Sequence, residues 1–243
     1  MTVKEHYDQH LGNFYSWMAG DFDEKQRAHE VFFRESGWLP RGNRLALDLG
    51  AGHGLQAVSL AKLGFAVKAV DFNRQLLDEL RTRQAEYPIE AIEDDIRNVR
   101  QHTDPAPELI LCWGDTLTHL DSESEALQFI RDSAAGLAPN GKLALSWRDY
   151  TNELTDIDRF IPVKSDEQRI LTCLLEYQPD RVRVTDLQYE RTEGGWQQKV
   201  SSYYKIRLAK DNVMDVLRDC GLQIVQDTSF MRQMVVVGVW EAE

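Results

Sequence analysis

A turn with three alternate glycines, Asp48-Leu49-Gly50-Ala51-Gly52-His53-Gly54, joins a short apolar run to a helical pattern. No other feature of the 243 residues limits the fold as strongly. Arg44–Leu49 reads as a buried parallel strand, and Leu55, Val58 and Ala61 recur at helical spacing up to Gly64. Glycine permits a sharp turn and a close backbone approach to a ligand, with no Cβ in the way. In an α/β sheet, ligands bind at the carboxyl ends of the strands, where such a turn lies.

The alternation continues downstream. Ala66–Phe72, Ile89–Ile92, Leu109–Trp113 and Lys142–Trp147 read as strands. Between them, Asn73 offers a helix N-cap and Ser122 with Glu125 a capping box, while Pro139-Asn140-Gly141 marks a turn. Alternation of this kind implies a parallel sheet with helices on both faces. The rhythm breaks at Arg169–Tyr177, Arg181–Tyr189 and Gln197–Leu208, three runs that read as an antiparallel meander. A helix from an Asp211 cap to Cys220 and a hairpin of Gln223–Thr228 with Met234–Glu241 complete the pattern. The expected fold is α/β: a doubly wound, mostly parallel seven-stranded sheet, Rossmann-like, with an inserted antiparallel β meander. We expect a single domain over 1–243. Residues 1–43 form its N-terminal helical lid, with a helix at Asp23–Ser36, and 150–209 an inserted antiparallel β cap.

Charge and composition narrow the function. With 28 Lys and Arg against 40 Asp and Glu, the net charge is −12, which argues against a nucleic-acid partner. Met234–Trp240 is too short to cross a bilayer, and the opening MTVKEHYDQH lacks the apolar core of a secretion signal. Cys112, Cys173 and Cys220 are widely separated with no CxxC pair, so reduced thiols and a cytoplasmic location are expected, with no metal.

The spacing selects among nucleotide ligands. A dinucleotide turn is G-x-G-x-x-G, but here the third glycine comes one residue early and position 55 is Leu. A phosphate loop's G-K-[ST] is absent. Asp48 would repel a pyrophosphate but suits an ammonium group. Asp71, closing the second strand, can accept from both hydroxyls of a ribose, and Asp95 after the third from an adenine amino group. Together they describe a nucleoside attached to an amino acid without phosphate, the composition of S-adenosyl-L-methionine.

The run LALDLGAGHGLQAVSLAKLGFAVKAVDF resembles the first two motifs of class I S-adenosylmethionine-dependent methyltransferases, and LAPNGKLALS their segment before the fifth strand. Cys112-Trp113-Gly114-Asp115-Thr116-Leu117-Thr118-His119-Leu120, Trp147-Arg148-Asp149-Tyr150 and Ser201–Leu208 resemble segments of glycine/sarcosine N-methyltransferases. The resemblance implies a cofactor set of Asp48, Gly50, Gly52, Gly54, Asp71, Phe72, Asp95, Ile96, Cys112 and Trp113, with S-adenosyl-L-homocysteine as product. Tyr15 and Trp17 would close over the cofactor, and Arg27 (or Lys25) would meet its carboxylate. Arg148 maps onto the arginine that binds the acceptor's carboxylate. Asp115, where the relatives have Asn, is either a base or a binding residue; His119 and Tyr150 are the other catalytic candidates. His53 reads as a spacer near the cofactor.

The expected activity is N-methylation of a small polar amine bearing a carboxylate. O-, S- or C-methylation, or a cofactor-binding regulatory protein, are the alternatives. A small-molecule acceptor is the expected partner, and the resemblance implies a homo-oligomer.

Overall fold

The computed structural model describes residues 2–240. The N-terminal segment is helical: α1 (Val3–His6), a π-helical turn over Tyr7–Leu11, α2 (Gly12–Ala19) and α3 (Phe22–Glu35). Asp21 caps α3 by accepting the Glu24 backbone N–H. Strands and helices then alternate through β1 (Leu45–Leu49), α4 (Leu55–Lys62), β2 (Ala66–Asp71), α5 (Arg74–Arg83), β3 (Ile89–Glu93), β4 (Leu109–Cys112), α6 (Glu123–Ala135) and β5 (Lys142–Trp147). An antiparallel sheet follows: β6 (Phe160–Ser165), β7 (Arg169–Tyr177), β8 (Arg181–Thr192) and β9 (Gly195–Ile206). Then come α7 (Lys210–Asp219) and the pair β10 (Leu222–Phe230) and β11 (Gln233–Trp240).

The main sheet has seven strands in the order β10-β11-β5-β4-β1-β2-β3. β1 to β5 pair in parallel, and β11 runs antiparallel to both β5 and β10. Successive strand residues face opposite sides, and both sides are covered. Leu47, Leu49, Ile110 and Leu145 pack against α6 and α7. Ala46, Ala69, Leu111 and Ala144 pack with residues of α3, α4 and α5. This is the doubly wound arrangement expected, and buried strands of this type read as near-continuous apolar runs.

The structure differs from the sequence reading in three places. The inserted sheet has four strands, not three, because Phe160–Ser165 adds an edge to β7. Pro162 cannot donate to a ladder and sits where that pairing slips register, which hid the strand from pattern reading. Helix α7 begins at Lys210 with Ala209 at the cap, so Asp211 lies inside the first turn, where its charge suits the helix dipole. The capping box is split. Ser122 accepts the Glu125 N–H, but Glu125 reaches back to the Asp121 N–H instead of that of Ser122.

Candidate functional site

Strand order reverses at β1, and a cavity of about 240 Å³ opens at the carboxyl ends of β1, β2 and β4. The glycine turn forms its floor. Gly50 and Gly54 hold φ of +78° and +94°, a region costly for residues with a Cβ. A Cβ on Gly50 would meet Thr116 at 2.4 Å, and one on Gly54 would meet Leu80 at 2.2 Å. Gly54 is therefore required for packing between the turn and α5; Gly50 and Gly52 line the cavity and Gly54 does not.

Asp71 faces the same space, fixed by two backbone donors. The Gly52 N–H donates to Oδ2 and the Asn73 N–H to Oδ1, each at 2.8 Å. Burial pushes its carboxyl up to about 6, opposed by those N–H groups. At neutral pH it is thus mostly ionised, with lone pairs left to accept further hydrogen bonds. Asp48 is different. It lies within β1, 1% exposed, and neither oxygen has a hydrogen-bond partner. Burial, then the charge of Asp71, raise it to about 8; the Ala57 backbone N–H, outside hydrogen-bonding geometry, offsets this only in part.

Phe72, Asp95, Ile96 and Trp113 line the cavity, as do Tyr15 and His53. Asp95 is held by Arg97, which donates from its backbone N–H at 2.9 Å and from Nη1 at 2.8 Å. Arg97 also binds Asp121 and Glu125, so it organises three acids at this end. Tyr15 meets His53 edge-on at 5.2 Å. Burial, then nearby cations, lower the His53 imidazole to about 3, so it stays neutral as a wall residue. Cys112, at the end of β4, is fully buried beneath the cavity, and burial raises its thiol.

Trp17 and Arg27 are not brought to this cavity, and Asp48, Asp115, Arg148 and Tyr150 are not among the residues that line it. The Trp17 indole N–H donates to Asp166 at 2.5 Å, and Lys164 and Arg169 lie over its ring, so it joins α2 to the inserted sheet. Arg27 is on the exposed side of α3, whereas Lys25 is turned partly inward, within range of the Arg148 charge.

On the other side of the glycine turn, Asp115 is buried and saturated with donors. Its Oδ1 accepts from the Arg148 backbone N–H and the Thr118 hydroxyl, each at 3.0 Å. Its Oδ2 accepts from the Tyr150 hydroxyl at 2.8 Å and from Lys205 Nζ. Burial alone would raise this carboxyl, but the Lys205 charge and the Arg148 N–H hold it below its ordinary value. Asp115 and Tyr150 therefore form a support linking β4, the end of β5 and β9. Arg148, two residues from Tyr150, extends to the exposed surface. Its neighbour Asp149 instead binds Thr151 and Asn152. His119 lines the cavity and stacks on Tyr203 at 5.5 Å; burial, then Lys205, push its imidazole well below the ordinary histidine value.

Lys205 and Tyr7 were not singled out from the sequence. Lys205 sits in a strand whose alternation signals only burial. Tyr7 lines the cavity from the π-helical turn, edge-on to both Phe72 and His119. No helix among the described residues is long and apolar enough to cross a membrane.

Residues 46–141 match the family model described as a methyltransferase domain. The cypemycin N-terminal methyltransferase of a Streptomyces species is 31% identical over 110 residues, covering 45% of this chain and 44% of the relative. The glycine/sarcosine N-methyltransferase of Halorhodospira halochloris is 26% identical over 132 residues, covering 54% and 49%. The chain thus spans about half the length of the curated relatives it matches. A solved S-adenosylmethionine-dependent methyltransferase from Clostridium acetobutylicum superposes with TM-score 0.73 at 14% identity, over 97% of this chain and 96% of that one.

Proposed function

By its domain match and its fold the chain is a member of the class I S-adenosylmethionine-dependent methyltransferases, and from that premise we propose that it N-methylates a small polar amine bearing a carboxylate. The observation that carries this reading is Asp71, oriented by two backbone N–H groups toward the cavity at the switch point of the sheet. The residues present fit the cofactor. Asp71 has acceptor capacity for a ribose, Asp95 sits further along the wall, and the unpaired oxygens of Asp48 suit a neighbouring positive charge. Glycine/sarcosine N-methyltransferase, named for methylating nitrogen, supports an amine acceptor.

When bound, S-adenosylmethionine supplies a methyl carbon already activated by its sulfonium. The chain's own contribution is to orient two reactants and exclude water. Tyr7, Tyr15 and Trp113 wall the cavity with aromatic surface. Arg148 offers a guanidinium fork to an acceptor carboxylate, which would receive two parallel charge-assisted bonds. Asp115 accepts the Arg148 backbone N–H and so fixes the main chain that carries that arginine. With its oxygens engaged by four donors, Asp115 serves to bind and position, not to accept a substrate proton. His119, kept neutral by burial and Lys205, is the group able to accept a hydrogen bond from the acceptor nitrogen. We assign the enzyme to the cytoplasm.

Thermal shift with S-adenosylmethionine, S-adenosylhomocysteine and NAD tests cofactor choice; stabilisation by NAD alone overturns the reading. A labelled-methyl screen then compares amines with and without a carboxylate. Transfer only to acceptors lacking nitrogen would refute the N-methylation.

A further inference from the structure

The end of the cavity where Asp95 lies is walled by Asp95, Ile96 and Arg97 after β3, and by Leu120 and Asp121 ahead of α6. Arg97 is shared between the two walls. Its three guanidinium nitrogens each meet a different carboxylate. Nη1 donates to Asp95 Oδ2 at 2.8 Å, Nη2 to Asp121 Oδ2 at 2.9 Å and Nε to Glu125 Oε1 at 2.7 Å. Its backbone N–H donates to the other Asp95 oxygen, Oδ1, at 2.9 Å. The outer partners are fixed in turn, because Glu125 Oε2 accepts the Asp121 N–H at 2.7 Å. Asp95 is also held from behind: Asp94 Oδ1 accepts the Asp95 N–H and the Asn98 side-chain amide, each at 2.8 Å.

A single exposed ion pair of this kind is worth little. What separates Arg97 from an ordinary surface pair is the arrangement. Main chain and side chain of one residue grip the two oxygens of one carboxylate, and Asp121 and Glu125 occupy the rest of the planar fork, so its orientation is fixed. Without the guanidinium, Asp95, Asp121 and Glu125 are three like charges in a chain of net charge −12, and repulsion turns them apart. With it, each Asp95 oxygen has accepted one bond from Arg97 and keeps a lone pair. An ionised carboxylate has no hydrogen to give. An amino group facing it donates, whereas a carbonyl oxygen in the same place is repelled.

We propose that Arg97 is the positioning residue that makes this end of the cavity selective for a 6-aminopurine, by holding Asp95 as a fixed carboxylate that only accepts. It acts through Asp95 and takes no part in methyl transfer. The proposal rests on the methyltransferase reading, which calls for an adenosyl group in this cavity.

Calorimetric titration of the full chain with S-adenosyl-L-homocysteine and S-inosyl-L-homocysteine tests it; the second ligand carries a carbonyl oxygen in place of the amino group. The wild type binds the adenosyl ligand more tightly by about tenfold or more. Arg97→Met, which keeps the aliphatic stem, reduces that preference to about threefold or less. It does so by weakening the adenosyl ligand, with the inosyl affinity unchanged or higher. Arg97→Lys keeps the charge but cannot span three carboxylates, so it is as unselective as Arg97→Met. Glu125→Gln lies outside the cavity wall, frees Nε and lowers the same preference by about twofold. It carries the test if the Arg97 variants do not fold, and an unchanged preference there then overturns the proposal. A preference that survives Arg97→Met, whether both ligands weaken equally or neither does, marks Arg97 as structural. Full recovery in Arg97→Lys would mean that charge alone is at work, and a wild type that does not discriminate removes Asp95 from the base. Each of these results overturns the positioning role. Failure of the wild type to bind S-adenosyl-L-homocysteine removes the methyltransferase reading itself.

Discussion

Lys205 and Asp115 form a buried ion pair, their side chains 8% and 6% exposed, and removing one member should cost far more than removing both. Lys205→Met leaves the Asp115 carboxylate buried with only the Tyr150 and Thr118 hydroxyls and the Arg148 N–H to oppose its charge. Breaking such a pair from one side typically costs about 3–5 kcal/mol. Three remaining donors argue for the lower end, about 3 kcal/mol. Asp115→Asn strands the Lys205 ammonium over the Tyr150 ring, 5.5 Å from its centroid, with a similar cost. The double variant Asp115→Asn/Lys205→Met leaves no charge and should recover most of the loss. Urea unfolding of the four proteins closes the cycle, with the coupling read as the departure from additivity. Because the Asp115 carboxyl is held below its ordinary value, the wild type keeps this contribution above about pH 4 and loses it as pH falls further. A Lys205→Met loss below about 1 kcal/mol, or a double variant as unstable as the sum of the singles, would refute the buried-pair account.

Asp71→Ala should weaken S-adenosylhomocysteine binding by about 1–3 kcal/mol in calorimetry. With the wild-type carboxyl raised to about 6, affinity should fall as pH drops through that value, and Asp71→Asn should flatten the profile. Arg148→Gln should raise the acceptor's KM while leaving cofactor affinity nearly unchanged in steady-state kinetics; equal loss of both would remove Arg148 from the acceptor side. Asp48, raised to about 8, favours the folded state when protonated, so wild-type stability should decline from about pH 4 to pH 8. Asp48→Asn should flatten that slope between about pH 6 and 8, leaving the Asp71 part below it, and gain about 2–5 kcal/mol at pH 8, measured by chemical denaturation across pH.

The parts of the site set by local chain geometry were legible in the sequence. Strands β1 to β5 are short apolar runs, and the turns after them announce themselves by glycine at positions 50 to 54 and asparagine at 73. Asp71 could be placed because the end of a strand beside a glycine turn leaves a carboxylate few directions to face. The acceptor side was less legible because its partners come from distant elements. Asp115 has the identity of a base, yet its hydrogen bonds come from residues 118, 148, 150 and 205, which no spacing rule connects. Trp17 looked like a cofactor cover because aromatic residues on amphipathic helices suit either role. Asp166, in the loop between β6 and β7, decides the matter.

Asp48 and Asp115 are two equally hidden acids with opposite fates. Burial pushes both carboxyls up. Asp115 escapes the push because Lys205 and three neutral donors converge on it, and the result is a rigid post between the main sheet and the inserted one. Asp48 finds no donor, has the charge of Asp71 nearby, and keeps a proton near neutrality. A carboxylate left in that condition beside a ligand turn is a standing destabilisation in the ligand-free protein, relieved by a cation brought close to it. The same logic separates scaffold from site. Where the donors are supplied by the chain, the residue is scaffold; where acceptor or donor capacity is left over, at Asp48, Asp71 and His119, the chain is built to receive something else.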